Sequence, residues 1–366
     1  MPDQPSMSRS AGVTRRPFGL DGPGRPVTLF TLVNAHGLQA EIMTYGGILT
    51  RLLVPDRSGQ LADIVLGHPT LADYLGGTPY FGALIGRVGN RIAGGRFVLD
   101  GAVCRLATND APGNRPCHLH GGPGGFHRVH WDGEPLEPGE GAGVRLRYRS
   151  PDGEEGYPGT LDVTVVYRLT DHDALILDYR AECDRPTPVN LTQHNYYNLR
   201  GEGGGDILDQ VLTLRAGRFT PVDPGLIPTG ERAPVAGTPF DFTRPRRIGE
   251  KIDGSDPQLR YGGGYDHNWI IDRDGPGLAL AATAWDPLSG RRMEVWTEEP
   301  GIQFYAGNFI ATTRPGKCGR PYRARQGFCL ETQHFPDSPN HGDFPPVILR
   351  PGQVYRTATE YRFSTR

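Results

Sequence analysis

Hydrophobic and polar positions alternate in short runs along most of the chain, and turn residues separate the runs. Residues 27–33, 38–43 and 48–54 form three such runs in succession, each about the length of a strand. Arg96-Phe97-Val98-Leu99 and Ala102-Val103-Cys104-Arg105-Leu106 flank Asp100-Gly101, an arrangement that predicts a hairpin closed by a two-residue turn. The pattern continues at 144–149, 161–169 and 174–182, the last two joined by Thr170-Asp171-His172-Asp173, and again at 278–285, 292–297 and 354–363. Helical periodicity is scarce: only 71–75 and 246–252 offer a turn or two. Strands and helices do not alternate as in βαβ units, and no segment repeats at a fixed period. The expected fold is therefore all-β, a large antiparallel β-sandwich with little helix.

Composition sharpens this picture. The 366 residues include 52 glycines and 34 prolines, about twice the usual share of the two. The 15 Tyr, 14 Phe and 4 Trp are spread along the chain, so the turn-formers belong to a folded, loop-rich protein rather than to disorder. With 39 basic and 41 acidic side chains the formal charge is −2. That excludes a global electrostatic field for nucleic acid. No apolar run approaches the roughly 18–20 residues of a membrane-spanning helix. Neither nucleic acid nor membrane is an expected partner.

Residues 1–25 read as a flexible polar tail, and 26–366 as one domain, because no linker-like stretch divides them. Arg15-Arg16 ahead of Phe18 is reminiscent of a twin-arginine export signal, but no apolar segment follows it. Cys104, Cys117, Cys183, Cys318 and Cys329 make an odd set without a C-x-x-C pair, which fits free thiols in a reducing compartment. A cytoplasmic location is expected.

Six segments concentrate chemistry-bearing residues between the strand-like runs. Gly86-Arg87-Val88-Gly89-Asn90-Arg91-Ile92 combines close backbone approach with planar donors and acceptors suited to hydroxyl groups; taken alone it is equally a tight loop with a solvated arginine. In Cys117-His118-Leu119-His120-Gly121-Gly122, strand alternation would place both imidazoles on one face, yet no third and fourth metal ligand stands at matching spacing. One functional imidazole at a strand end is the simpler reading, and no metal site is expected. Residues 190–199 are dense in Asn, Gln, His and Tyr, a composition suited to polyhydroxyl ligands or to a polar sheet edge. Gly264-Tyr265-Asp266-His267-Asn268-Trp269, residues 301–309 and Cys329-Leu330-Glu331-Thr332-Gln333-His334-Phe335-Pro336-Asp337 complete the set. Glu331 follows the apolar Phe328 and Leu330, where a carboxylate is paired in the sheet, exposed, or a base with a tuned pKa.

Together these segments resemble the aldose 1-epimerases, the galactose mutarotases. The resemblance runs from about Phe30 to Phe363. Besides the segments above it includes Asp152-Gly153-Glu154-Glu155-Gly156-Tyr157-Pro158-Gly159, Ile227-Pro228-Thr229-Gly230 and Thr238-Pro239-Phe240-Asp241-Phe242, all in the family's order. It implies a β-sandwich of the galactose mutarotase type, an open sugar cleft and no cofactor. By resemblance Asn90 and Arg91 bind sugar hydroxyls and His120 bonds near the ring oxygen. His194 matches the proton donor with Tyr196 beside it, Asp266 and Gln303 match sugar-binding positions, and Glu331 matches the proton acceptor. The chain departs from the family pattern at Gln193, Asn195, Tyr197 and His127, changes that leave acid and base intact but bear on sugar preference.

The chemistry suits these residue types independently. Interconverting pyranose anomers requires a base for the anomeric hydroxyl proton and an acid for the departing ring oxygen, and closure reverses the roles. With ordinary titration, Glu331 ionised and His194 protonated coexist near neutrality. A hexose-6-phosphate 1-epimerase would add a basic cluster for phosphate, for which Arg244, Arg246 and Arg247 are candidates. A glycosidase using Asp266 and Glu331 leaves His194 and His120 idle. A non-catalytic carbohydrate-binding protein has no need of Glu331 and His194 together. The expectation is an isomerase acting on free aldohexoses such as glucose and galactose, as a monomer or homodimer.

Overall fold

The computed structural model describes residues 11–77, 79–137 and 139–366. Its largest element is a nine-stranded sheet. In spatial order its strands are Asp132–Pro135, Ala142–Ser150, Leu161–Leu169, Ala174–Cys183, Tyr355–Thr365, Arg291–Thr297, Ala279–Trp285, Val211–Leu214 and Arg246–Arg247. Every neighbouring pair is antiparallel. Alternation sets which face is buried: Leu161, Val163, Val165, Tyr167 and Leu169 point inward while the residues between them do not.

Two five-stranded sheets supply the opposing layer. The first runs Gly12–Leu20, Pro26–Val33, Gln39–Met43, Leu49–Pro55 and Leu61–Asp63. The second runs Ala233–Pro234, Arg218–Thr220, Asp266–Ile270, Gly301–Tyr305 and Cys329–Gln333. One apolar core joins all three sheets, with Phe30 and Leu52 from the first, Trp269, Ile302, Phe304 and Leu330 from the second, and Leu177, Val295 and Tyr361 from the nine-stranded sheet. Thr332 and Thr359 share a hydroxyl hydrogen bond of 2.6 Å across the sandwich. The expected all-β sandwich is thus the observed one.

Local expectations differ from the structure in two places. Residues 1–10 of the expected tail lie outside the described residues, but Gly12–Leu20 is a strand, paired with Pro26–Val33 along its length. Its side chains are mostly exposed, so it carries little apolar alternation; ladder hydrogen bonds order it, with only Val13 and Phe18 packed against the core. The expected turns over 246–252 are a short strand, Arg246–Arg247, and a single 3₁₀ turn, Ile248–Glu250. The true second helix, Pro257–Gly262, follows them, capped by Asp256 and closed by Gly263 at φ 61°. Among the described residues no helix is long and apolar enough to cross a membrane.

Candidate active site

The second five-stranded sheet buries both of its faces. Leu330 and Thr332 face the core, so by alternation Cys329, Glu331 and Gln333 take the other face. Register then aligns the neighbours: Gln303 stands opposite Glu331, and Tyr305 opposite Asp266. Three strands thereby deliver Asp266, Tyr305 and Glu331 to one wall of a cleft of about 510 Å³.

The opposite wall comes from short pairings. His194 ends the strand Thr192–His194, which pairs with Ala83–Ile85. Arg91–Ala93 pairs with Cys117–Leu119; the chain enters the first strand through Asn90, left-handed at φ 60°, and leaves the second through His120, left-handed at φ 52°. Left-handed geometry swings His120 out of the strand's alternation, so its Nδ1 accepts the Asn90 backbone N–H at 3.2 Å. Gly121, at φ 80°, packs so closely on the Gly86 loop that a methyl group there would lie 1.7 Å from the Gly86 carbonyl oxygen. His118 goes elsewhere. Its ring is buried between the Ala107 carbonyl, 2.6 Å from Nδ1, and the Tyr157 hydroxyl, 2.8 Å from Nε2. The two histidines therefore do not share a site.

Seven of the eight residues singled out from the sequence line the cleft: Asn90, Arg91, His120, His194, Tyr196, Asp266 and Glu331. Gln303 does not. It stands behind, donating from Nε2 to Asp266 Oδ1 at 2.7 Å, and so orients a carboxylate that does face the cleft. Arg91 is held between Asp110, 3.0 Å from its Nε, and Asp266, 3.8 Å from its nearer terminal nitrogen.

His194 Nε2 lies 3.7 Å from Glu331 Oε1, and its Nδ1 lies 3.5 Å from the Cys329 thiol. Glu331 is 2% exposed, and its Oε2 has no hydrogen-bond partner among the described residues. Burial, reinforced by the Asp266 carboxylate and opposed by Arg91, holds the Glu331 carboxyl well above the usual carboxylate range. Burial also pushes the His194 imidazole down to about 3. These shifts run opposite to ordinary titration: burial favours a neutral carboxyl beside a neutral imidazole over an ion pair. The two forms hold the same number of protons and differ only in where one proton sits.

Sequence reasoning missed several lining residues. Tyr80, at φ 63°, packs against His120 with ring centroids 4.7 Å apart and stacks on His194 at 5.6 Å. Asp110 comes from a loop, and Phe309 and Tyr261 edge the mouth. Phe309 lay within a segment already singled out, as did the lining residues Leu119 and Tyr305. The departures at Gln193, Asn195 and Tyr197 turn out to be linked away from the cleft: Asn195 Nδ2 donates to Gln193 Oε1 and to the Tyr197 hydroxyl, and Gln193 donates to Tyr167 in the core. His127 alone among the departures touches a lining residue, packing edge-on against Tyr80 at 4.8 Å.

Comparison with known proteins bears on the family and the fold. The aldose 1-epimerase family model matches residues 28–362. Galactose mutarotase of Homo sapiens is 45% identical over 355 residues, 97% of this chain and 99% of the relative. Aldose 1-epimerase of Escherichia coli is 38% identical over 342 residues, 93% and 96% of the two chains. Among solved structures, the GalM/aldose epimerase homologue of C. elegans superposes with a TM-score of 0.83 at 30% identity, covering 92% of this chain and 98% of the other. Galactose 1-epimerase of Lactobacillus acidophilus gives 0.84 at 27% identity, covering 97% and 99%. The chain belongs to the aldose 1-epimerase family.

Proposed function

We propose that the protein interconverts the α and β anomers of free aldohexoses such as glucose and galactose, with Glu331 as proton acceptor and His194 as proton donor. The observation that carries this is the buried carboxylate–imidazole pair, 3.7 Å apart, lining one cleft with Asn90, Arg91, His120 and Asp266. Glu331 takes the anomeric hydroxyl proton while His194 Nε2 delivers a proton to the ring oxygen as its bond to C1 breaks. Rotation about C1–C2 presents the other face of the aldehyde, and the two groups then reverse their roles. Ring opening leaves a protonated Glu331 and a neutral His194, the form that burial already favours. No net proton and no redox equivalent is consumed. Polarimetry of freshly dissolved α-glucose and α-galactose tests this directly: the protein should speed the approach to the equilibrium rotation, and an unchanged rate would leave only a binding protein.

The charges that line the cleft favour a neutral sugar over the sugar-phosphate alternative. Asp110, Asp266 and Glu331 line the cleft with the guanidinium of Arg91, while Arg244, Arg246 and Arg247 are not among the described lining residues. A phosphate entering beside two or three carboxylates meets net repulsion. Glucose 6-phosphate should therefore bind at least about tenfold more weakly than glucose in isothermal titration, with the gap widening as salt is lowered. Tighter binding of the phosphate would reverse the assignment.

Asp266 is proposed to position the sugar. Arg91 and Gln303 both hold its carboxylate, so it is a fixed acceptor for a sugar hydroxyl in ground and transition states alike. Asp266→Asn is expected to raise KM by about tenfold, the cost of one hydrogen bond to a charged group, with a smaller loss of kcat. Polarimetric progress curves at varied sugar concentration separate the two.

A further inference from the structure

Chemistry at one nitrogen of His194 makes a demand on the other. In the exchange proposed above, Nε2 gives its proton to the ring oxygen on opening and takes it back on closure, so between the two steps Nε2 must carry a bare lone pair. A neutral imidazole has a single N–H, and that proton must then stay on Nδ1 throughout the cycle. Which nitrogen keeps it is set by the hydrogen bonds the ring makes. We propose that Cys329 is the positioning residue that meets this demand: its sulfur accepts the Nδ1–H of His194 and holds the tautomer in which Nε2 exchanges the proton. The inference rests on the mutarotase reading and adds a third residue to it.

Strand geometry carries the assignment. Cys329 and Glu331 stand two apart on the strand Cys329–Gln333, so alternation sends both to the same face. The His194 ring lies across them, with Nδ1 3.5 Å from the Cys329 sulfur and Nε2 3.7 Å from Glu331 Oε1. One strand thereby supplies the base and the group behind the acid. Cys329 is buried and is not among the residues lining the cleft, so it acts on the sugar only through His194. The rings of Tyr80, His120 and Tyr196 pack around the imidazole and restrict its rotation. The other acceptor in reach of the ring is its own backbone carbonyl, which already takes the Gly82 N–H at 2.9 Å.

A thiol suits this position better than a stronger acceptor. Burial, reinforced by Glu331 and Asp266, keeps Cys329 in its neutral form, and thiol sulfur accepts an N–H weakly. A carboxylate in its place would draw on the Nδ1 proton and raise the proton affinity of Nε2, making His194 a poorer acid toward the ring oxygen. Neutral sulfur selects the tautomer without that penalty. It also leaves Nε2 open toward the neutral Glu331 carboxyl, the partner that burial provides.

The test reads the tautomer directly, by nitrogen-15 NMR of the full chain labelled at histidine, without sugar and near neutral pH. The His194 signals are assigned by their loss in His194→Gln. The wild-type ring should carry its proton on Nδ1. Without an acceptor behind it a histidine ring prefers the proton on Nε2, so Cys329→Ala should move it there and lower kcat about five- to tenfold, the worth of one neutral hydrogen bond, with KM within about twofold. Cys329→Ser, which keeps an acceptor on a shorter arm, should retain more of the Nδ1–H form and recover at least half of the lost kcat. Circular dichroism verifies that both variants are folded. A wild-type proton on Nε2, an unmoved proton in Cys329→Ala (which would assign the role to the ring's own carbonyl), or a serine variant as slow as the alanine one would each overturn the proposal. The NMR spectrum does not depend on turnover, so its outcome is distinct from failure of the mutarotase reading, which polarimetry of the unsubstituted protein decides.

Discussion

Replacing Glu331 with Gln is expected to lower kcat by about 10²–10⁴-fold, the usual contribution of one proton-transfer group, while KM stays within a few-fold. The substitution is nearly isosteric. Backbone pairing with Gln303 holds the strand, and the core-facing neighbours Leu330 and Thr332 are untouched, so the fold should survive. An amide retains much of the hydrogen bonding to sugar but cannot accept the anomeric proton. It also loses the property that burial and Asp266 give the carboxyl, a raised proton affinity suited to holding that proton through the life of the open-chain sugar. Glu331→Asp provides a graded comparison: it keeps the charge but withdraws it by about one methylene, and misplacement of about 1 Å costs on the order of 10²-fold. Polarimetry across a range of sugar concentrations measures both variants. Full turnover in Glu331→Gln would remove the assigned base and leave the cleft as a binding site.

The contrast between what the chain reveals and what it conceals has a physical basis. Strands with one buried face announce themselves, as Leu161–Leu169 does with its strict alternation and Asp100-Gly101 does at the hairpin it closes. Gly12–Leu20 conceals itself because it is a mostly polar edge strand: backbone pairing leaves no mark on side-chain pattern, and only Val13 and Phe18 reach the core. Pro257–Gly262 carried a readable signature, an Asp cap followed by Pro and closed by Gly, that a search for apolar periodicity overlooks in so short a helix. The site was legible as a set of residue types and by family resemblance, but not as a geometry. His194 and Glu331 are 137 positions apart and meet only through sheet register and sandwich packing. The same holds for His120: local spacing paired it with His118, whereas its own left-handed backbone at φ 52° turns it out of the strand and chain topology brings it to His194. Tyr80 and Asp110 sit in turns and loops without a pattern around them, so no rule of periodicity would have placed them in the cleft.

His194→Gln should also lower kcat by about 10²–10⁴-fold, and the double variant with Glu331→Gln should lose little more than the worse single variant. The reason lies in the shared proton. Glu331 and His194 work as one relay in which neither half acts without the other, so the losses overlap rather than multiply. The wild-type pH profile follows from the same accounting, with limits that belong to the pair rather than to either residue. The working form carries one movable proton. Adding a second on the acid side requires protonating His194 beside a neutral Glu331, and burial depresses that step to about 3. Removing the only movable proton on the alkaline side means ionising Glu331, which burial and Asp266 oppose, so this limb moves above the ordinary carboxylate range. Both shifts widen the plateau: the acid limb should fall well below the ordinary histidine value near 6.5, and kcat/KM should be flat between the two limbs. Asp266→Asn removes one of the charges that raise Glu331 and should move the alkaline limb downward while leaving the acid limb in place, a shift that loss of sugar contacts alone would not produce. Rate measurements by polarimetry, corrected for the buffer-catalysed reaction at each pH, resolve both limbs. An acid limb at the ordinary histidine value, or an alkaline limb unmoved in Asp266→Asn, would contradict a proton shared between these two buried groups.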